Sequence, residues 1–158
     1  MRDLRPLTIE EMSSLPIHIE VSSLLPASAA RVFSTLADPE PWPQWFSFIR
    51  KVEYPTPARG LGTERDVTTK IGVIREHFLA WQPDRISFFV RQSNAVGLAA
   101  FAEDYQIEAL GDYSRLTWHI YADFQPLLRP LTCVVPTVGR LMFSESILSF
   151  SAWLRNHQ

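Results

Sequence analysis

Residues 115–156, RLTWHIYADFQPLLRPLTCVVPTVGRLMFSESILSFSAWLRN, pass from the period of a strand into the longest helical pattern of the chain. In 115–124, Leu116, Trp118 and Ile120 alternate with Thr117, His119 and Tyr121, so one set faces an interior and the period alone leaves open which. In 136–156, Phe143, Ile147, Phe150 and Leu154 fall on one stripe at about 100° per residue, with Arg140, Ser144, Ser151 and Arg155 gathered beside it. Pro136 fits the first turn, where the amide it lacks would have no partner. The stripe should lie on a sheet. A second apolar face, Val138, Leu141, Met142, Leu148 and Ala152, is left for the short helices or another subunit to cover.

Upstream, short strand patterns at 50–54, 62–69, 73–81, 86–92 and 99–109 join the strand at 115–124. Proline, glycine and polar clusters separate them, and every connection is short enough for an antiparallel meander. Earlier still, IHIEVSSL at 17–24 alternates apolar and polar residues until Pro26 ends it. Ala29, Val32, Phe33 and Leu36 then recur at helical spacing over 27–37, and the proline-dense DPEPWPQWF at 38–46 predicts a sharp turn before one or two helical turns at 44–49. Residues 1–15 have weak periodicity and are read as an extension of uncertain order. One strand, two short helices, six strands and a long helix describe an α+β fold, a curved seven-stranded antiparallel sheet around the last helix. A curved sheet touches a straight helix along part of its length, which leaves room for a ligand cavity.

Composition bounds the partners. The 158 residues suit one domain, at 16–158, and 46% hydrophobic with 12% aromatic residues excludes a disordered chain. Seventeen acidic against fifteen basic residues give a net charge of -2 without a basic run, which argues against nucleic acid. No apolar stretch is long enough to span a membrane, and charges interrupt residues 1–16, so a soluble cytoplasmic protein is expected. The single cysteine, Cys133, has no internal disulfide partner and reads as a buried small hydrophobe. His18, His77, His119 and His157 are not spaced as metal ligands, and no phosphate loop or nucleophile elbow occurs, so neither metal nor cofactor is expected.

The segments ARVFSTLADPEPWPQW, GLGTERDV, REHFLAWQPDRISFFV with its Trp81-Gln82-Pro83-Asp84-Arg85 turn, and RLTWHIYADF before the final helix resemble the START / Bet v 1-like (SRPBCC) superfamily. Within it they are similar to the bacterial polyketide cyclase/dehydrase and lipid-transport group, over about residues 17–156. The resemblance implies a helix-grip fold that binds hydrophobic ligands such as sterols, lipids, polyketides or plant hormones, with only some members catalytic. A more distant similarity to plant abscisic-acid receptors implies that Arg50 of Phe48-Ile49-Arg50, Glu76 of Glu76-His77-Phe78 and Tyr105 of Asp104-Tyr105 face the cavity. It also favours His119 inside. The receptors' gate loops are missing here, so their hormone function is not carried over.

With Glu76 inward, a period of two sends Ile74, Phe78 and Ala80 to its side and Arg75, His77, Leu79 and Trp81 outward. The same parity turns Phe88 and Val90 inward, then Phe101, Glu103, Tyr105 and Ile107. Candidate ligand contacts are thus Arg50, Glu76, Tyr105 and His119 among polar residues. The apolar candidates are Val67, Phe78, Phe88, Val90, Phe101 and Ile107 on strands and Phe143 and Ile147 on the helix. Glu76 in an apolar cavity suits an acid, a base or a ligand anchor, or else an ion pair with Arg50, Arg65 or Arg75. Arg50 suits an anionic head group or plain solvent, and Tyr105 a ligand oxygen or a backbone partner. His119 suits a proton shuttle or an exposed strand position. Trp42, Trp45 and Phe46 suit the cavity mouth or the packing of the short helices. The leading expectation is a non-catalytic binder or carrier of a small hydrophobic molecule. Two alternatives are a cyclase, aromatase or dehydratase using Glu76, Tyr105 and His119, and an interaction module or homodimer docking through Leu141 and Leu148.

Overall fold

The computed structural model describes residues 1–157. Its elements are β1 (Arg2–Asp3), α1 (Ile9–Met12), β2 (Ile17–Leu25), α2 (Ala29–Ala37), α3 (Trp42–Trp45), β3 (Ile49–Glu53), β4 (Glu64–Thr69), β5 (Val73–Gln82), β6 (Arg85–Ser93), β7 (Leu98–Leu110) and β8 (Tyr113–Phe124). A 3-10 segment (Pro126–Cys133) then leads into α4 (Val135–Asn156). The sheet runs β2-β8-β7-β6-β5-β4-β3, antiparallel throughout, with β1 added against β6. It curves around α4 as the strand and helix patterns predict.

Periodicity explains most of the packing. Ile17, Ile19 and Val21 turn inward from β2, and Phe143, Ile147, Phe150 and Leu154 bury the stripe of α4 in the same core. Each such side chain contributes roughly 1.5–3 kcal/mol through the water it leaves. Ser28 caps α2 by accepting from the Arg31 amide, and Val32 and Leu36 point into the core. On β8, Leu116, Trp118 and Ile120 take the interior, opposite Ile107, Tyr105 and Glu103 of β7. Met142 of the second helix face also packs on the core, while Val138, Leu141 and Leu148 stay exposed.

Four local readings need correction. The second short helix begins at Trp42, not at residue 44, because Pro41 and Pro43 are accommodated at a helix start; Ile49 already belongs to β3. Trp81 faces the core against Phe33 and Phe78, not outward. A bulge lies between the pairs Phe78–Phe88 and Ala80–Ser87, and the extra residue, Leu79, inverts the parity beyond it. Cys133 is exposed, since it ends the 3-10 segment ahead of α4. Residues 1–15 carry ordered elements: Thr8 and Glu11 form a reciprocal capping box on α1, and Leu7, Met12 and Leu15 pack with Phe89, Ala100 and Ala102. This second apolar cluster covers the sheet face opposite α4.

Among the described residues, no helix is long and apolar enough to cross a membrane.

Candidate functional site

Large aromatic side chains fill one half of the space between sheet and helix. Trp45 packs on Phe150 with ring centroids 4.6 Å apart, Tyr105 stacks on Trp118 at 5.0 Å, and Phe78 meets Phe88 edge-on at 5.8 Å. The other half holds a cavity of about 570 Å³. Val67, Ile74, Val90 and Phe101 wall it from the sheet, and Val138, Met142 and Phe143 from α4. Ile71, Val96 and Val134 both line the cavity and are exposed, so it opens between two strand turns and the start of α4. Gly139 permits a close approach of α4 to β2: a Cβ there would lie 2.5 Å from Cδ1 of Ile19.

The polar groups of the lining gather on β4, β5 and β7. Arg65 and Glu76 are cross-strand partners, and the Arg65 Nε–H donates to Glu76 Oε2 at 2.6 Å with both side chains almost completely out of water. Arg65 Nη1 also donates to the Leu36 carbonyl at 3.3 Å, and the guanidinium lies 4.8 Å from the Trp42 ring centroid. Burial raises the Glu76 carboxyl above its usual range, and the charge of Arg65 opposes this. Arg65 in turn is held charged by Glu76 against the cost of desolvation.

Glu103 is the third buried member. Desolvation, and then the charge of Glu76, push its carboxyl up to about 8, against hydrogen bonds from Tyr105 and Trp118. The Tyr105 hydroxyl and Trp118 Nε1–H, the latter at 3.0 Å, both donate to Oε2. A neutral Glu103 therefore keeps its proton on Oε1. Burial beside Glu103 in turn raises the Tyr105 hydroxyl well above its usual value. The site thus combines a neutral acid, an internally balanced ion pair and a long apolar wall.

Val67, Glu76, Val90, Phe101, Tyr105 and Phe143 line this cavity. Phe78, Phe88, Ile107 and Ile147 lie outside the lining, buried in the packed core. Arg50 is exposed and lies outside the lining, because the pairing of β3 with β4 shifts register between Ile49 and Lys51 and leaves Arg50 facing water. His119 likewise does not reach the cavity: with Trp118 and Ile120 inward, the period of two turns it to the outer face. There it meets His18 and Glu20, with Nδ1 3.1 Å from His18 Nε2 and 3.6 Å from Glu20 Oε2. Arg65, weighed as one of three partners for Glu76, is the one that pairs; Arg75 instead binds Asp66 through two hydrogen bonds of 2.7 and 2.8 Å. Glu103, placed inward by strand parity, was not singled out for a role, although a carboxylate on an otherwise apolar strand face was the available signal. Trp42 and Phe46 line the cavity while packed in the core, and Trp45 sits in the core alone.

Comparison with known proteins agrees with this architecture. A START superfamily protein from Mycobacterium smegmatis superposes with a TM-score of 0.75 over 89% of this chain and 99% of its own, at 15% identity. The di-domain ARO/CYC StfQ from the steffimycin biosynthetic pathway gives 0.74 over 94% of this chain and 54% of its own, at 12% identity. At these identities the likeness concerns the fold alone. An uncharacterized protein of Mycobacterium tuberculosis is 38% identical over 91 residues, 56% of this chain, and the match spans about half of that relative, 54% of its length. Residues 16–146 match the family described as polyketide cyclase / dehydrase and lipid transport. With that match over most of the chain, and a helix-grip sheet around α4, the protein belongs to the polyketide cyclase / dehydrase and lipid transport family of the START/SRPBCC superfamily.

Proposed function

We propose that the chain binds and carries a small, uncharged hydrophobic molecule bearing one polar oxygen. The observation behind this reading is the distribution of polarity: an apolar cavity of about 570 Å³ has its charges on Arg65 and Glu76, which neutralise each other. Glu103 beside them offers a proton donor. A ketone, hydroxyl or phenol satisfies that donor, whereas a carboxylate would face Glu76, and among the described residues of the lining the cation, Arg65, is already paired. The hydrocarbon part of the molecule lies along α4. Native mass spectrometry of protein purified from its own host tests the reading: a retained neutral lipophile is expected. A protein that emerges empty, and that binds neither Nile red nor a long-chain alcohol, overturns it.

A second reading is favoured by Glu103 itself. An acid pushed up to about 8 holds its proton at neutral pH and suits general-acid catalysis of a cyclisation or dehydration, by protonating a carbonyl or departing hydroxyl. Its mark would be turnover that falls as pH rises through about 8 and drops by a factor on the order of 10² to 10⁴ in Glu103→Gln. Binding without turnover leaves the carrier.

A further inference from the structure

The outer face of the β2–β8 pair carries a side-chain cluster that the cavity does not use. His18 and Glu20 are two apart on β2 and so share a face; Glu20 is the cross-strand partner of His119, and His18 that of Tyr121. The sheet thereby sets His18, Glu20, His119 and Tyr121 at the corners of one square. One donor atom from each of His18, Glu20 and His119 falls within 4.8 Å of the others.

We infer that His18, Glu20 and His119 form a binding site for one divalent transition-metal ion of the zinc type. The spacing supports it. Zinc bonds of about 2.0–2.1 Å in tetrahedral array put neighbouring donors about 3.3 Å apart. The separations are 3.1 Å between His18 Nε2 and His119 Nδ1 and 3.6 Å between His119 Nδ1 and Glu20 Oε2, and all three donors lie within 4.8 Å of one another. Two imidazoles and a carboxylate are donors suited to zinc, nickel or copper, whereas magnesium and calcium prefer oxygen alone. In the metal-free protein one of the two facing nitrogens carries the hydrogen between them; when an ion binds, that ring shifts to its other tautomer, so that neutral His18 carries its hydrogen on Nδ1 and neutral His119 on Nε2, with no net proton released.

The rings are also held in place before any ion arrives. His18 stacks on Tyr121 with centroids 4.6 Å apart and planes within 11°, and the His119 side chain is 14% exposed. Pre-set side chains reduce the ordering cost of binding. Glu20 is 54% exposed at the open side, where solvent leaves its carboxylate room to close on the two rings and where water completes the coordination. The two strands so joined present Ile17, Ile19, Ile120 and Ala122 to the cavity on their other face, so the ion would fasten the wall of the cavity from behind.

Calorimetric titration of the full chain with zinc chloride, in a non-coordinating buffer, tests the site. A Cys133→Ser background removes the exposed thiol. Uptake of one equivalent is expected, with a Tm that rises with zinc and does not respond to magnesium. His18→Ala and His119→Ala should each weaken binding by at least the ~10-fold that disturbing a ligand's hydrogen-bond partner costs. His77→Ala and His157→Ala should leave it unchanged. Should His119→Ala fail to fold, His18→Ala and Glu20→Gln, both at exposed positions, decide the matter. Absence of uptake, or stoichiometric uptake that survives loss of His18 and Glu20, overturns the assignment and leaves the two histidines a hydrogen-bonded surface pair.

Discussion

Arg65 and Glu76 face each other across β4 and β5 and meet at 2.6 Å, with 3% and 5% of their side chains exposed. Neither has a reserve of solvent to fall back on. Glu76→Gln keeps the shape and strands a charged guanidinium, so unfolding free energy should drop by about 3–5 kcal/mol in urea titrations. Replacing both residues by apolar ones of similar volume should recover much of that loss. An unchanged midpoint in Glu76→Gln would mean that water reaches the pair.

Glu103 couples stability to pH. Its carboxyl, pushed up to about 8 from an ordinary 4.5, holds a proton in the folded chain that the unfolded chain has released over that interval. Its contribution is therefore fully present below about 4.5 and is lost as pH rises through about 8. Glu103→Gln cannot titrate. The wild type should lose stability relative to this variant across the window, by an amount on the order of a few kcal/mol, and parallel stability-versus-pH curves would refute the assignment.

Filling the cavity should abolish binding without unfolding the protein. Ala122 is a small lining residue, and Ala122→Trp projects an indole into the space between β8 and α4. Nile red fluorescence should fall to background while circular dichroism stays unchanged. Retained dye affinity in the folded variant would place the binding site elsewhere.

Phe150 is fully buried against Trp45 in the packed half of the grip. Phe150→Ala should cost about 3–5 kcal/mol, and because the residue lies outside the cavity lining, dye affinity of the folded fraction should persist.

The stripe Phe143, Ile147, Phe150 and Leu154 and the inward set of β7 were legible because each depends on a local period that nothing interrupts. Trp81 was not, since a single inserted residue inverts a parity count and leaves no composition signal, and Arg50, turned inward only by a distant likeness, faces water beside a register shift. His119 was misplaced by a distant likeness, although Leu116, Trp118 and Ile120 formed the more apolar set on the same strand. The meeting of His18 with His119, 101 positions away, depends on the register of β2 against β8, which spacing along the chain does not encode. The helix of one turn that the Thr8-x-x-Glu11 capping box opens is too short to show a period, so residues 1–15 gave no helical pattern.

The apolar cover supplied by Leu7, Met12 and Leu15 has a practical consequence for anyone delimiting this domain. Strands β6 and β7 are dry on both faces where Phe89, Ala100 and Ala102 lie under it, so their amides should be among the slowest to exchange with deuterium. A chain trimmed to begin at Pro16, the boundary that periodicity suggests, would bare that patch and also free the stretch of β6 that pairs with Arg2 and Asp3. Such a truncation should self-associate and lose exchange protection in the middle of the sheet, far from the cut.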